Sequence, residues 1–127
     1  MKILSVVLVV LVALEHLYFL YLEMFQWTSP QGRAAFGTTR EQAEASKALA
    51  ANQGLYNGFL SAGLIWGLLH PSAACGVQIQ VFFLLCVVVA AIFGAATASR
   101  KILWIQGLPA ALALASLAAL HYFGAVG

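Results

Sequence analysis

Four runs of apolar residues, at 3–26, 49–69, 77–98 and 102–123, occupy most of this 127-residue chain. Each is at or near the ~20 residues that an α-helix needs to cross the hydrocarbon core of a bilayer. With 63% of its residues hydrophobic and 8% charged, the chain leaves almost nothing for a soluble domain. The expected architecture is all-α: a four-transmembrane-helix bundle forming a single integral membrane domain over residues 1–127. Its helices are expected at about 3–26, 40–69, 74–98 and 102–123, the second beginning ahead of its apolar run.

Lys2 precedes the first run, as in a signal peptide, but the run continues past Leu14 to Trp27 without a small-x-small cleavage pattern, so a permanent helix is expected. Arg33, Arg40 and Lys47 fall in the connector 28–48, and Arg100 and Lys101 in the connector 99–101. The opposite side carries Lys2, the uncharged connector at His70 and Pro71, and an uncharged C-terminal end. By the positive-inside rule both basic connectors are cytoplasmic and both termini extracytoplasmic, in a bacterial inner membrane. The net charge of +2 then reflects topology, and no nucleic-acid partner is expected. Cys75 and Cys86, about 16 Å apart along a continuous helix, are read as packing residues rather than a disulfide.

Thr28, Ser29 and Pro30 close the first run. In the polar connector, Thr38 with Glu41 and Thr39 with Gln42 both fit a capping box, so a helix starting near Thr39 is expected to continue unbroken into the second span. His70 and Pro71 end it. A local kink is expected near Pro109.

The charged residues inside the first run give the chain its chemistry. The chain has four acidic residues, and two of them, Glu15 and Glu23, lie in that run. A charged side chain at the bilayer centre costs about 2.5–3.5 kcal/mol on insertion scales, so it is kept where it faces protein, is paired or has a task. At 100° per residue from Glu15, Gln26, Phe19, Glu23, His16 and Trp27 fall at about 20°, 40°, 80°, 100° and 120°, one third of the helix surface. On the second span, taking Asn52 as origin, Phe59, Tyr56, Gln53 and Asn57 fall between about −20° and 140°. Gly54, Gly58 and Ala62 form a separate small-residue stripe suited to close helix packing. Counted from an inner boundary near Gln26, Glu23 lies ~5 Å and Glu15 ~16 Å deep. Asn52, Gln53, Tyr56, Asn57 and, on the fourth span, Gln106 enter from the same boundary. The outer layers carry few strong polar groups, so the arrangement reads as a one-sided pocket open to the cytoplasm or to the inner leaflet.

The segments EHLYFLYLEMFQW (15–27), NQGLYNGFLSAGLIWG (52–67) and IQGLPA (105–110) together resemble the family called domain of unknown function 1304. The resemblance covers essentially the whole chain and implies a small integral membrane protein with several helices. It implies no activity.

The leading expectation is therefore a pocket that binds a lipophilic small molecule and performs acid/base chemistry on it, of an isomerase or hydratase kind. Glu15, His16 and Glu23 are the expected proton donors and acceptors. Gln26, Trp27, Asn52, Gln53, Tyr56, Asn57 and Gln106 are expected to hold and orient the ligand. Glu15, His16 and Glu23 match no recognised metal-ligand spacing, so no metal or cofactor is assigned. The alternatives are a dimeric proton-coupled exporter, its homodimer formed through the glycine stripes, and a structural membrane subunit. The bilayer is a partner in every case.

Overall fold

A computed structural model describes residues 2–124. These residues form six α-helices: α1 (Lys2–Phe25), α2 (Pro30–Phe36), α3 (Arg40–Ala45), α4 (Lys47–Leu69), α5 (Ala73–Thr97) and α6 (Leu108–Gly124). A π-helical turn, Leu103–Gly107, leads directly into α6. No strand occurs among the described residues, so the fold is all-helical as expected.

Three helical stretches are long and apolar enough to cross a membrane: Lys2–Phe25, Ala73–Thr97 and Leu103–Phe123. They agree with a membrane protein. The expectation of four spans is met for these three, whereas α4, at 23 residues, has the length but not the apolarity. Asn52, Gln53 and Asn57 lie within it and dilute its hydrophobic residues.

Two further departures from the expected elements have local causes. The connector contains the additional helix α2, started by Ser29, whose hydroxyl accepts from the Gly32 amide, and by Pro30 in the first turn, where its missing N–H costs nothing. It ends at Gly37, whose φ of 67° lies in the left-handed region that glycine enters without a Cβ clash. The expected continuous helix 40–69 is interrupted at Ser46. The Thr39/Gln42 capping box forms, with Oγ1 accepting from the Gln42 amide at 3.1 Å and Oε1 accepting from the Thr39 amide at 2.9 Å. α3 then stops at Ser46, whose hydroxyl donates to the Gln42 carbonyl at 2.7 Å, a back-bond of the kind that bends helices.

The π-helical turn accounts for Pro109. A proline ring clashes with the carbonyl four residues back and leaves it without a donor. A turn one residue wider, with the Leu108 amide bonded to the Leu103 carbonyl, brings the chain through that position without breaking the helix.

The chain divides into two compact units: Leu14–Ser61, and Met1–Ala13 together with Ala62–Gly127. The second of these has an apolar interior that includes Val9, Val12, Leu64, Leu84, Val87 and Leu117. Its α4 and α5 approach at glycine: a Cβ on Gly76 would fall 2.5 Å from the Gly67 carbonyl oxygen, and one on Gly67 would fall 2.9 Å from the Gly76 carbonyl oxygen. Backbone meets backbone there, so a side chain at either position has nowhere to go. α4 ends at Leu69, and Ser72 caps α5 by accepting from the Cys75 amide at 3.3 Å. Cys75 and Cys86 are both free thiols.

Candidate functional site

The site lies in the unit Leu14–Ser61, on the part of α1 from Leu14 to Phe25 and the part of α4 from Lys47 to Ser61. The α1 face marked by the 100° count turns inward. His16 is fully buried and Glu23 is 2% exposed, while Glu15, Phe19, Gln26 and Trp27 are half-buried. Leu14, Leu17, Met24 and Phe25 lie outside that arc; the first two and Phe25 are exposed, and Met24 is half-buried.

Glu23 makes the central contact. Asn57 Nδ2 donates to Glu23 Oε1 at 2.6 Å, a buried bond that joins residues 34 positions apart. Glu23 Oε2 is also buried and has no hydrogen-bond partner. The bond depends on the close approach of α1 and α4 at Gly54, one turn before Asn57. A Cβ at Gly54 would lie 2.7 Å from Met24 Cγ, 3.1 Å from Glu23 Cβ and 3.3 Å from the Leu20 carbonyl oxygen. Glycine is what lets the short asparagine side chain reach across.

Glu15 lies eight residues before Glu23 on the same helix face, about 12 Å along the axis. Its Oε1 is buried without a hydrogen-bond partner. Between the two carboxyls, the His16 ring packs edge-on against Phe19 with centroids 5.3 Å apart.

The remaining expected site residues separate. Trp27 is engaged with the connector: its Nε1 donates to Ser46 Oγ at 3.1 Å, and its ring lies 4.8 Å from that of Phe36. The Gln26 carbonyl accepts from the Ser29 hydroxyl at 2.7 Å, which uses its backbone to start α2. On α4 the expected amide face divides. Asn52 is exposed and donates to the Ala48 carbonyl of its own helix; Gln53 is exposed; Tyr56 is 61% exposed, its ring 6.1 Å from that of Phe59. Gln106 is half-buried in the π-helical turn and belongs to the other unit. Of the α4 amides, Asn57 alone turns inward.

Helical geometry gives the reason. Ala50, Gly54 and Ser61 are buried and lie within about 60° of Asn57 around α4. The packing face of α4 is therefore formed by Ala50, Gly54 and Ser61 with Asn57 on its edge, and Asn52 and Gln53 point away from it. The glycines of α4 pack within the chain, as the expected close-packing stripe does at Gly54 and Gly58: Gly54 against Met24, Gly58 against Leu20, Gly63 against Phe83 and Gly67 against Gln80.

Sequence reasoning missed two contributors. Gly54 positions the Asn57 bond, and its signal was the stripe spacing. Ser46 holds Trp27, and nothing local marks a lone serine as the partner of a residue 19 positions away.

The other unit contains a groove of about 340 Å³ lined by Trp66, Cys75, Gln78, Ile79, Phe82 and Phe83. None of its lining residues was an expected site residue.

The profile of a family described as "Protein of unknown function (DUF1304)" matches residues 10–118, a range that includes both Glu23 and Asn57. The chain belongs to the DUF1304 family. A relative, the uncharacterized protein YpaA of Lactococcus lactis subsp. lactis (strain IL1403), is 38% identical over 118 residues, covering 91% of this chain and 98% of the relative. No solved structure matches. The DUF1304 match covers α2–α5 entirely and most of α1 and α6.

Proposed function

We propose that this DUF1304 protein is a bacterial inner-membrane protein that holds a lipophilic small molecule at Glu23 and Asn57, with Glu15 and His16 on the same helix face available to accept or donate a proton. In this reading α4 is the fourth span. Its 23 residues extend ~34 Å, enough for a ~30 Å hydrocarbon core, and both termini are extracytoplasmic, following the five basic residues of the two cytoplasmic connectors.

The observation that supports the site is the half-satisfied Glu23. A buried polar atom without a partner costs on the order of 1–3 kcal/mol. A carboxyl with no other purpose would be replaced by leucine at a gain in stability. One oxygen is bonded to Asn57 and the other is buried and open, as suits a group whose second partner is a ligand. Glu15, with its own unpartnered buried oxygen, extends the polar face outward.

Native mass spectrometry of protein extracted gently from its own membrane tests this. The native protein is expected to carry a bound small molecule that the Glu23→Gln and Asn57→Ala variants lose while keeping their helical circular dichroism. Equal retention in both variants would rule the site out.

A further inference from the structure

The geometry points to a lipophilic ammonium, a long-chain primary amine in its protonated form, as the ligand class of the Glu23 site; this rests on the reading of Glu23 and Asn57 as a binding site. The argument begins with Asn57, whose Nδ2 is the atom that bonds Glu23, so the carboxyl is used as an acceptor. Filling the same role at the buried, unpartnered Oε2 requires a donor.

No donor meets Oε2. Glu23 forms its side-chain hydrogen bond with Asn57, and on the two facing helix segments, 14–25 and 47–61, the basic side chains are the exposed Lys47 at the start of α4, ten residues from Asn57, and the buried His16. Glu15, on the same face, repeats the pattern with an unpartnered buried acceptor oxygen. The segment pair thus holds two carboxyls with unmet accepting capacity and, besides His16, no basic side chain buried among them.

A hydroxyl or amide ligand would meet the accepting capacity alone, and a quaternary ammonium the charge alone. A primary ammonium brings three N–H donors and a positive charge on one atom, and charge-assisted bonds to carboxylate are about twice as strong as neutral ones. A metal cation would need more ligands, and no group of three or more His, Cys, Asp or Glu side chains that could hold a metal occurs among the described residues. The hydrocarbon tail follows from the location, since a ligand that reaches a carboxyl in a span from the bilayer must be soluble there.

Isothermal titration calorimetry of the full chain in phosphatidylcholine nanodiscs, corrected with empty nanodiscs, tests the class. The probes share one chain length: dodecylammonium, dodecyltrimethylammonium, dodecanol and 2-dodecanone. Dodecylammonium is expected to bind saturably and most tightly, and Glu23→Gln to weaken it by about tenfold or more. If Glu23→Gln does not fold, the ranking of the four probes on the native protein decides. Tightest binding of 2-dodecanone or dodecanol overturns the ammonium and leaves a lipophilic pocket standing. Saturable dodecylammonium binding that Glu23→Gln leaves unchanged in folded protein overturns the assignment to this carboxyl. Saturable binding of none of the four overturns both the ammonium and the site.

Discussion

In the unit made of Met1–Ala13 and Ala62–Gly127, helices meet through glycine and the buried side chains are almost all apolar, Ser5 and Gln80 being the polar ones among the described residues. In Leu14–Ser61 the helices also meet through glycine, at Gly54 and Gly58, yet the buried side chains include His16, Glu23, Asn57 and Ser61 beside Leu22, Ala43 and Ala50. The packing device is the same and the contents differ. Close packing alone therefore does not require polar groups in such an interior, because the first unit manages with few. Those in Leu14–Ser61 call for a separate reason, and two buried carboxyl oxygens without partners argue against helix locking as that reason, since a lock works best when every group in it is satisfied.

The largest expected effect falls in the apolar unit. Gly76→Leu would drive a side chain into the Gly67 carbonyl, where backbone atoms cannot yield. Overpacking of this kind costs about 1–3 kcal/mol and more where backbone is met, and thermal unfolding in detergent should show either a steep fall in midpoint or no folded protein. An unchanged midpoint would mean that the Gly67–Gly76 approach does not set the packing of that unit.

Next is the carboxyl–amide pair. Asn57→Leu removes the one partner Glu23 has and should destabilise by about 1–3 kcal/mol. Glu23→Leu in the same background should restore that loss in full or more, because the unpaired polar group is then gone as well. The coupling energy from the full double-mutant cycle is expected near 0.6 kcal/mol and below about 2, the range seen for hydrogen bonds within membranes. A cycle that closes with no coupling would show that the two residues act independently.

A smaller effect is expected at the connector. Trp27→Phe keeps a ring against Phe36 but loses the bond to Ser46, at a cost of about 1 kcal/mol. Hydrogen exchange should rise in residues 40–46 and stay unchanged in α5. The smallest effect is expected at Gln53→Ala and Tyr56→Phe, exposed on α4, where surface substitutions shift stability by about 0.5 kcal/mol or less. Loss of the co-purifying molecule in either variant would move the site outward along that face.

The inward face of α1 could be read from sequence because Glu15, His16 and Glu23 share one arc and their polarity alone says which way the helix turns. α4 could not be read in the same way. Its amides are spread over a broad arc, and the direction it packs is set by Ala50, Gly54 and Ser61, small residues whose influence lies in how closely they let another helix approach. Asn57 lies beside Ala50, Gly54 and Ser61 around the helix, which is why it alone of those amides is buried. The helix break at Ser46 goes with the back-bond of its hydroxyl to the Gln42 carbonyl, and the additional helix α2 with a serine cap and a single left-handed glycine. Both are decided by contacts or backbone angles that hydrophobic periodicity does not contain.

The central claim is that the polar interior of Leu14–Ser61 serves a ligand rather than the fold. The most direct test combines thermal unfolding with native mass spectrometry on the double variant Glu23→Leu/Asn57→Leu. The expected result is a protein at least as stable as the native one that no longer carries the bound molecule. A double variant that is clearly less stable, or one that still carries the molecule, would contradict the account.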